Sequence, residues 1–228
     1  MLRQYFAILA ITAALAPAVF AATEADKRLD ASADLLTDMM QASDKGVPQD
    51  LMNRSECVIL VPGLKKAGFI VGAKYGRGFA MCRHASGTGW TAPAAIRIEG
   101  GSVGFQIGAS EQDILLLVTN ETGMKRLLAD KFTIGAEASA AAGPVGRNAS
   151  AQTDAVMRAE MLSYSRSRGL FAGISLEGAT LRPDADANEE MYGKKITNKE
   201  ILTGDVHPPA AAEKMETLLN RNSSRRSK

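Results

Sequence analysis

SYSRSRGLFAGISLEGATL, residues 163–181, carries the densest pattern in the chain. Two serines and two arginines alternate before Gly169, and an apolar run of small residues, LFAGISL, follows. Gly173 lies inside that run and Gly178 just beyond it. Alternation at period two marks a strand, and embedded glycines mark a bulge, a bend or a close backbone approach. In a regular strand Leu170, Ala172, Ile174 and Leu176 share one face. Arg166 and Arg168 have the same parity and would be buried with them. The pattern therefore predicts a bulge near Gly169 that turns both arginines outward.

Further strands precede this stretch. Cys57-Val58-Ile59-Leu60-Val61 is a continuous apolar run, hence a buried strand, stopped by Pro62-Gly63. Residues 67–81 alternate around Gly68, Gly72, Gly76 and Gly78. Ile96 and Ile98 alternate with Arg97 and Glu99, and after Gly100-Gly101 the residues Val103, Phe105, Ile107 and Ala109 resume the pattern, which predicts a hairpin pair. DILLLVT (113–119) is another buried strand, Phe132 to Ala138 resumes one, and 141–147 reads as a loop. Trp90 follows a Ser-Gly-Thr-Gly turn, a hairpin tip.

Helical patterns frame the sheet. Leu29, Ala33, Leu36 and Met40 mark one stripe across 22–45, widened by Leu35 and Met39, while Asp26, Asp30, Asp34 and Asp38 recur on the other side. Asn120 caps a helix carrying Met124, Leu127 and Leu128. Thr197 and Glu200 form a capping box ended by Gly204. Pro208-Pro209 starts a last helix with Met215, Leu218 and Leu219, followed by a basic, disordered tail. The sum is an α+β single domain: an antiparallel glycine-rich sheet or partly closed barrel with flanking helices at both ends.

Residues 1–21 read as a signal peptide, with Arg3, a short apolar stretch, Pro17 and small residues at Val19 and Ala21. The expected organisation is a signal peptide (1–21), one domain (22–204), and a terminal helix with its tail (205–228). The expected location is outside the cytoplasm, in a bacterial periplasm. In 228 residues, 27 Lys and Arg face 25 Asp and Glu, a net charge of +2. Such balance, with few aromatics, argues against nucleic acid as a partner.

Cys57, Cys82 and His84 offer three metal-ligating side chains without an evident fourth, so no metal is expected. An oxidising compartment allows a Cys57–Cys82 disulfide, and two buried thiols fit the apolar runs as well. Enzymatic signals are weak. The two histidines, His84 and His207, lie far apart in sequence, no Gly-x-Ser-x-Gly elbow is present, and Gly76-Arg77-Gly78 is followed by Met81 where a nucleotide fingerprint needs glycine. The chain reads as a non-enzyme without cofactors.

SYSRSRGLFAGISLEG resembles the signature of the SYLF family of lipid-binding domains. VPGLKKAGFIVGAKYGRGFAM (61–81), GWTAPAAIRIEGGSVGFQIGA (89–109), AAGPVGRNA (141–149) and a closing YG…T…ILTG (192–204) agree with it, so the resemblance spans residues 50–204. It implies a non-enzymatic module for anionic phospholipid or a membrane surface. Some eukaryotic relatives also touch actin, which an exported protein does not meet. Those relatives engage phosphoinositides through an amphipathic N-terminal helix. The acidic face of 22–45 departs from this, because anionic lipid repels it, and predicts a helix packed on the body. Basic side chains beside glycine-rich turns are then the candidate headgroup ligands: Lys65, Lys66, Arg77, Arg147, Arg166 and Arg168. The pairs Lys65-Lys66 and Arg166/Arg168 are expected to form one patch, unless the arginines pair with acids such as Glu160 or Glu177. A protein-binding scaffold and an envelope hydrolase are the competing readings.

Overall fold

A computed structural model describes residues 22–42, 46–145, 159–167, 170–174 and 176–224; for 69–71 and 102–108 it describes the backbone. Residues 1–21, expected from the sequence to be a signal peptide, lie outside these. Among the described residues no helix is long and apolar enough to cross a membrane. In chain order the elements are α1 (Glu24–Gln41), α2 (Gln49–Arg54), β1 (Cys57–Cys82), β2 (Ala94–Val118), α3 (Glu121–Leu127), β3 (Phe132–Thr133), β4 (Ala140–Ala142), β5 (Met161–Ser167), β6 (Leu170–Gly173), β7 (Ala179–Pro183), α4 (Ala185–Tyr192), α5 (Asn198–Thr203) and α6 (Glu213–Ser223). A 3₁₀ turn, Ala210–Ala212, leads into α6.

The frame is one very long antiparallel hairpin. β1 and β2 pair from Cys57↔Val118 to Ala80↔Ala94, with irregularities at Val61/Leu64 and Gly68/Ile70. The expected reversal at Gly100-Gly101 does not occur, and the strand runs straight through it. Gly100 serves a close approach instead, since an added Cβ would lie 2.7 Å from the Gly178 carbonyl oxygen. Likewise Pro62-Gly63 does not end β1 but forms its first irregularity, with Gly63 in the left-handed region at φ +62°.

A flat strand of 26 residues would span about 85 Å. Here its ends meet: Cys57 and Cys82 form a disulfide with their Cα atoms 3.9 Å apart, and the Arg83 N–H donates to the Glu56 carbonyl at 2.8 Å. β1 thus curls until its second limb lies on its first. Gly76 and Gly78 make this possible, with Leu60, Val61 and Leu64 packed against them.

The curled hairpin defines two layers. Ile59, Leu64, Ile96, Ile98, Ile114, Leu116 and the disulfide fill the inner face, closed by α3 and α5 residues including Leu127, Ile201 and Leu202. Val58, Leu60, Phe79, Leu115, Leu117 and Tyr164 form the outer face, covered by α1, α2 and α6 through Leu29, Leu36, Met52, Met215 and Leu219. The packed α1 is as expected. Part of its acidic side is engaged at the surface by the body, with Asp30 and Asp34 pairing Lys214 of α6. α6 runs to Ser223, so the first residues of the expected disordered tail are helical.

The outer edge of β2 takes a partner at each end, β7 along 96–100 and β5 along 113–118. The signature stretch is not one bulged strand. β5 reverses into β6, with Ser167 paired to Leu170 on either side of residues 168–169. β4 adds one parallel pair to an otherwise antiparallel sheet, and the strand expected over 132–138 shortens to Phe132–Thr133 plus a bridge between Ile134 and Ala138.

Candidate functional site

The candidate cations divide between the two faces of the curled hairpin. Adjacent strand residues point to opposite sides. Lys65 stands opposite Glu111, in the row that continues to the outer-face residues Asp113, Leu115 and Leu117, whereas Lys66 follows Leu64 on the inner face. One patch holding both lysines with the arginines is therefore not what the strand geometry gives.

Arg166 is held on the outer face. It is bonded to Asp38 of α1, and its Nε donates to Asp113 at 3.1 Å. The expected outward turn is replaced by an ion-paired brace between helix and sheet, made with acids other than Glu160 and Glu177. Asp113 also accepts the Gly63 N–H at 3.0 Å, so two carboxylates and a turn surround this guanidinium. Arg77, also on the outer face, donates to Asp184 at 2.5 Å; this bond holds its basicity above the ordinary value, while burial pulls the nearby Arg28 below it. Arg147 and Arg168 lie outside the described residues.

Lys65 and Lys66 form no ion pair among the described residues. Lys65 is exposed. Lys66 is half-buried, and burial lowers its proton affinity. Sequence reasoning missed a second cation on the inner face that Lys66 shares, Lys74. It is buried, it donates to the Glu177 carbonyl at 3.0 Å, and burial followed by the charge of Lys66 lowers its proton affinity. The available signal was parity: Lys74 shares its face with Gly76, Gly78 and Ala80.

A cleft of about 770 Å³ opens elsewhere, between the hairpin tip, α3 and α5, lined by Glu56, His84, Thr91, Glu121, Lys125 and Leu202 among others. Arg83 borders it but is committed to the fold. Its guanidinium donates to the carbonyls of Ser55 (2.9 Å), Ser223 (3.0 Å) and Met52 (3.2 Å), bonds the Ser223 hydroxyl, and stacks over Trp90 at 4.2 Å. Among the described residues no three His, Cys, Asp or Glu side chains gather as a metal site, and both cysteines are consumed in the disulfide.

Residues 99–222 match the family model described as Ysc84, Las17-binding protein actin regulator. The chain belongs to the Ysc84/SYLF family. It is 37% identical over 177 residues to SH3 domain-containing protein PJ696.02 of Schizosaccharomyces pombe, covering 76% of this chain and 41% of that one. LAS seventeen-binding protein 3 of Saccharomyces cerevisiae is 33% identical over 180 residues, 78% of this chain and 39% of the relative. SH3 domain-containing YSC84-like protein 1 of Mus musculus is 35% identical over 178 residues, 78% and 52% respectively. The chain thus spans about half or less of the length of these curated relatives. Their names are those of binding and regulatory proteins rather than of enzymes.

Proposed function

We propose that this Ysc84/SYLF domain is a non-enzymatic phospholipid-binding module acting outside the cytoplasm, in a bacterial cell envelope. It contacts anionic headgroups through basic side chains beside glycine-rich turns. The observation that carries the reading is the contrast among the cations. Arg77 and Arg166 are consumed by carboxylates, while Lys65 and Lys66, between Gly63 and Gly68, keep no ion pair among the described residues. An ammonium that no described carboxylate engages is available to an external phosphate. The Cys57–Cys82 disulfide supports the compartment, since such bonds persist where the surroundings are oxidising, as does the leader-like pattern of residues 1–21.

The names of the Las17-binding and SH3 domain-containing relatives favour a second reading, a scaffold whose partner is a protein. Co-sedimentation with phosphatidylcholine vesicles containing phosphatidylglycerol, at two salt concentrations, separates them. Lipid binding through headgroups is expected to weaken as salt rises. Absence of binding at low salt overturns the lipid reading and leaves the scaffold. For the compartment, the intact mass of the exported protein is expected to begin at Ala22; a chain retaining Met1 in the cytosol overturns it.

A further inference from the structure

The self-crossing of β1 brings two lysines of the same strand to corresponding positions. Leu64 on the first limb lies against Gly76 on the second. Two residues beyond that contact on each limb stand Lys66 and Lys74, both on the inner face. Lys74 is only 7% exposed. It is paired across the ladder with Gly100, which has no side chain, and its ammonium reaches the Glu177 carbonyl beyond.

This arrangement is costly as it stands. A lysine ammonium carries three donors, and the described partner of Lys74 accepts one of them. Neither lysine forms an ion pair among the described residues, and the charge of Lys66 disfavours that of Lys74. Buried charges are ordinarily paired, so a buried lysine beside a second lysine, with no described carboxylate on either, is a place that an anion would complete. We propose that Lys66 and Lys74 form a binding site for a phosphate-class anion, lipid phosphate or free phosphate, at the inner rim of the curled hairpin. The inference deepens the anion-binding part of the lipid reading and moves the site to one buried and one half-buried lysine, omitting Lys65 and the arginines. Leu170 bears on the source of the phosphate. It is 68% exposed and paired with Ser167, whose hydroxyl donates to the Glu111 carbonyl at 3.5 Å, in the ladder position opposite Lys65. Ser167 shares its face of β5 with Met161, which puts its cross-strand partner Leu170 on the inner face, so an apolar side chain stands exposed at the end of the sheet that carries Lys66.

The test uses full-length protein with Lys66→Ala, Lys74→Met and, as a control, Lys27→Ala on the exposed side of α1, in two arms: co-sedimentation with phosphatidylglycerol–phosphatidylcholine vesicles, and inorganic phosphate followed by ³¹P line broadening. Lys66→Ala and Lys74→Met are each expected to lower binding about fivefold in the arm that reports the natural source, and Lys27→Ala to leave it within about twofold. Should Lys74→Met fail to fold, Lys66→Ala alone carries the comparison. A lipid source predicts that Leu170→Ser weakens vesicle binding and spares phosphate. Phosphate binding that depends on Lys66, without vesicle binding, upholds this site and overturns the lipid reading. Vesicle binding that survives Lys66→Ala unchanged, with no lysine-dependent phosphate signal, overturns this site and leaves the lipid reading standing. Absence of binding in both arms overturns both.

Discussion

At Gly78 an added methyl would lie 1.9 Å from the Leu60 carbonyl oxygen, a backbone atom that no side-chain rotation can move. Gly78→Ala must therefore push the two limbs of β1 apart and open the inner layer around Leu64 and Ile96. The expected cost is about 3 kcal/mol or more, measured as a lower denaturant midpoint, because overpacking and cavity formation act together. Gly193→Ala serves as a comparison: its Cβ would meet nothing within 4 Å, so only its backbone strain at φ +65° should appear. Glu216 on α6 gives a pH-dependent counterpart. Burial raises its proton affinity above the ordinary value, against the opposing influence of His207 and His84. The folded state thus holds this proton more tightly than the unfolded one. Its contribution favours folding at low pH and is lost as pH rises through the raised folded value. Glu216→Gln is expected to melt higher than the parent at pH 7.5 and to converge with it near pH 4; an equal difference at both pH values contradicts this assignment.

Among the elements, α1 joins the body by two kinds of contact of unequal weight. Leu36 is fully buried in the outer layer, whereas Lys214 meets Asp30 and Asp34 at the surface. Leu36→Ala is expected to cost about 2–5 kcal/mol, and Lys214→Ala under about 1 kcal/mol, in urea melts. Near-equal losses would show that the charges rather than the apolar stripe dock the helix. This stripe was legible from the spacing of Leu29, Ala33 and Leu36, because helical period and burial coincide there. The buried strands were legible for the same reason. Gly100-Gly101 misled because glycine serves reversal and close approach alike, and only the position of Gly178 distinguishes them. The β5–β6 pairing was hidden similarly: alternation in the sequence continues from one strand into the next, so periodicity registers no reversal. For the candidate site, charge type was readable and pairing was not. Arg166 meets Asp38 and Asp113, 128 and 53 residues away, and no local rule connects them.

Across the whole molecule, the hairpin and its clasp decide which parts depend on each other. Closing the loop between Cys57 and Cys82 stabilises by about 3 kcal/mol in the chain-entropy model. Reduction should lower the melting temperature without erasing the sheet, since both layers are otherwise apolar. A circular dichroism spectrum of fully unfolded chain after mild reduction would instead make the disulfide a condition of folding.

Seen as a mechanical element, the same clasp removes part of the polymer from the line of force. A pull applied to the two termini enters at residue 57 and leaves at residue 82 through one covalent bridge, so the ring of β1 carries no load while the bond is intact. Force spectroscopy should give a released contour length shorter in the oxidised protein than in the reduced one by about 85 Å, from 25 residues at ~3.4 Å each. Both lysines of the proposed anion site, Lys66 and Lys74, sit on that ring, while the β2 strand and the Glu177 carbonyl that hold it in place do not. Along the covalent path, tension would enter the segment between the lysines only after the bond was cut.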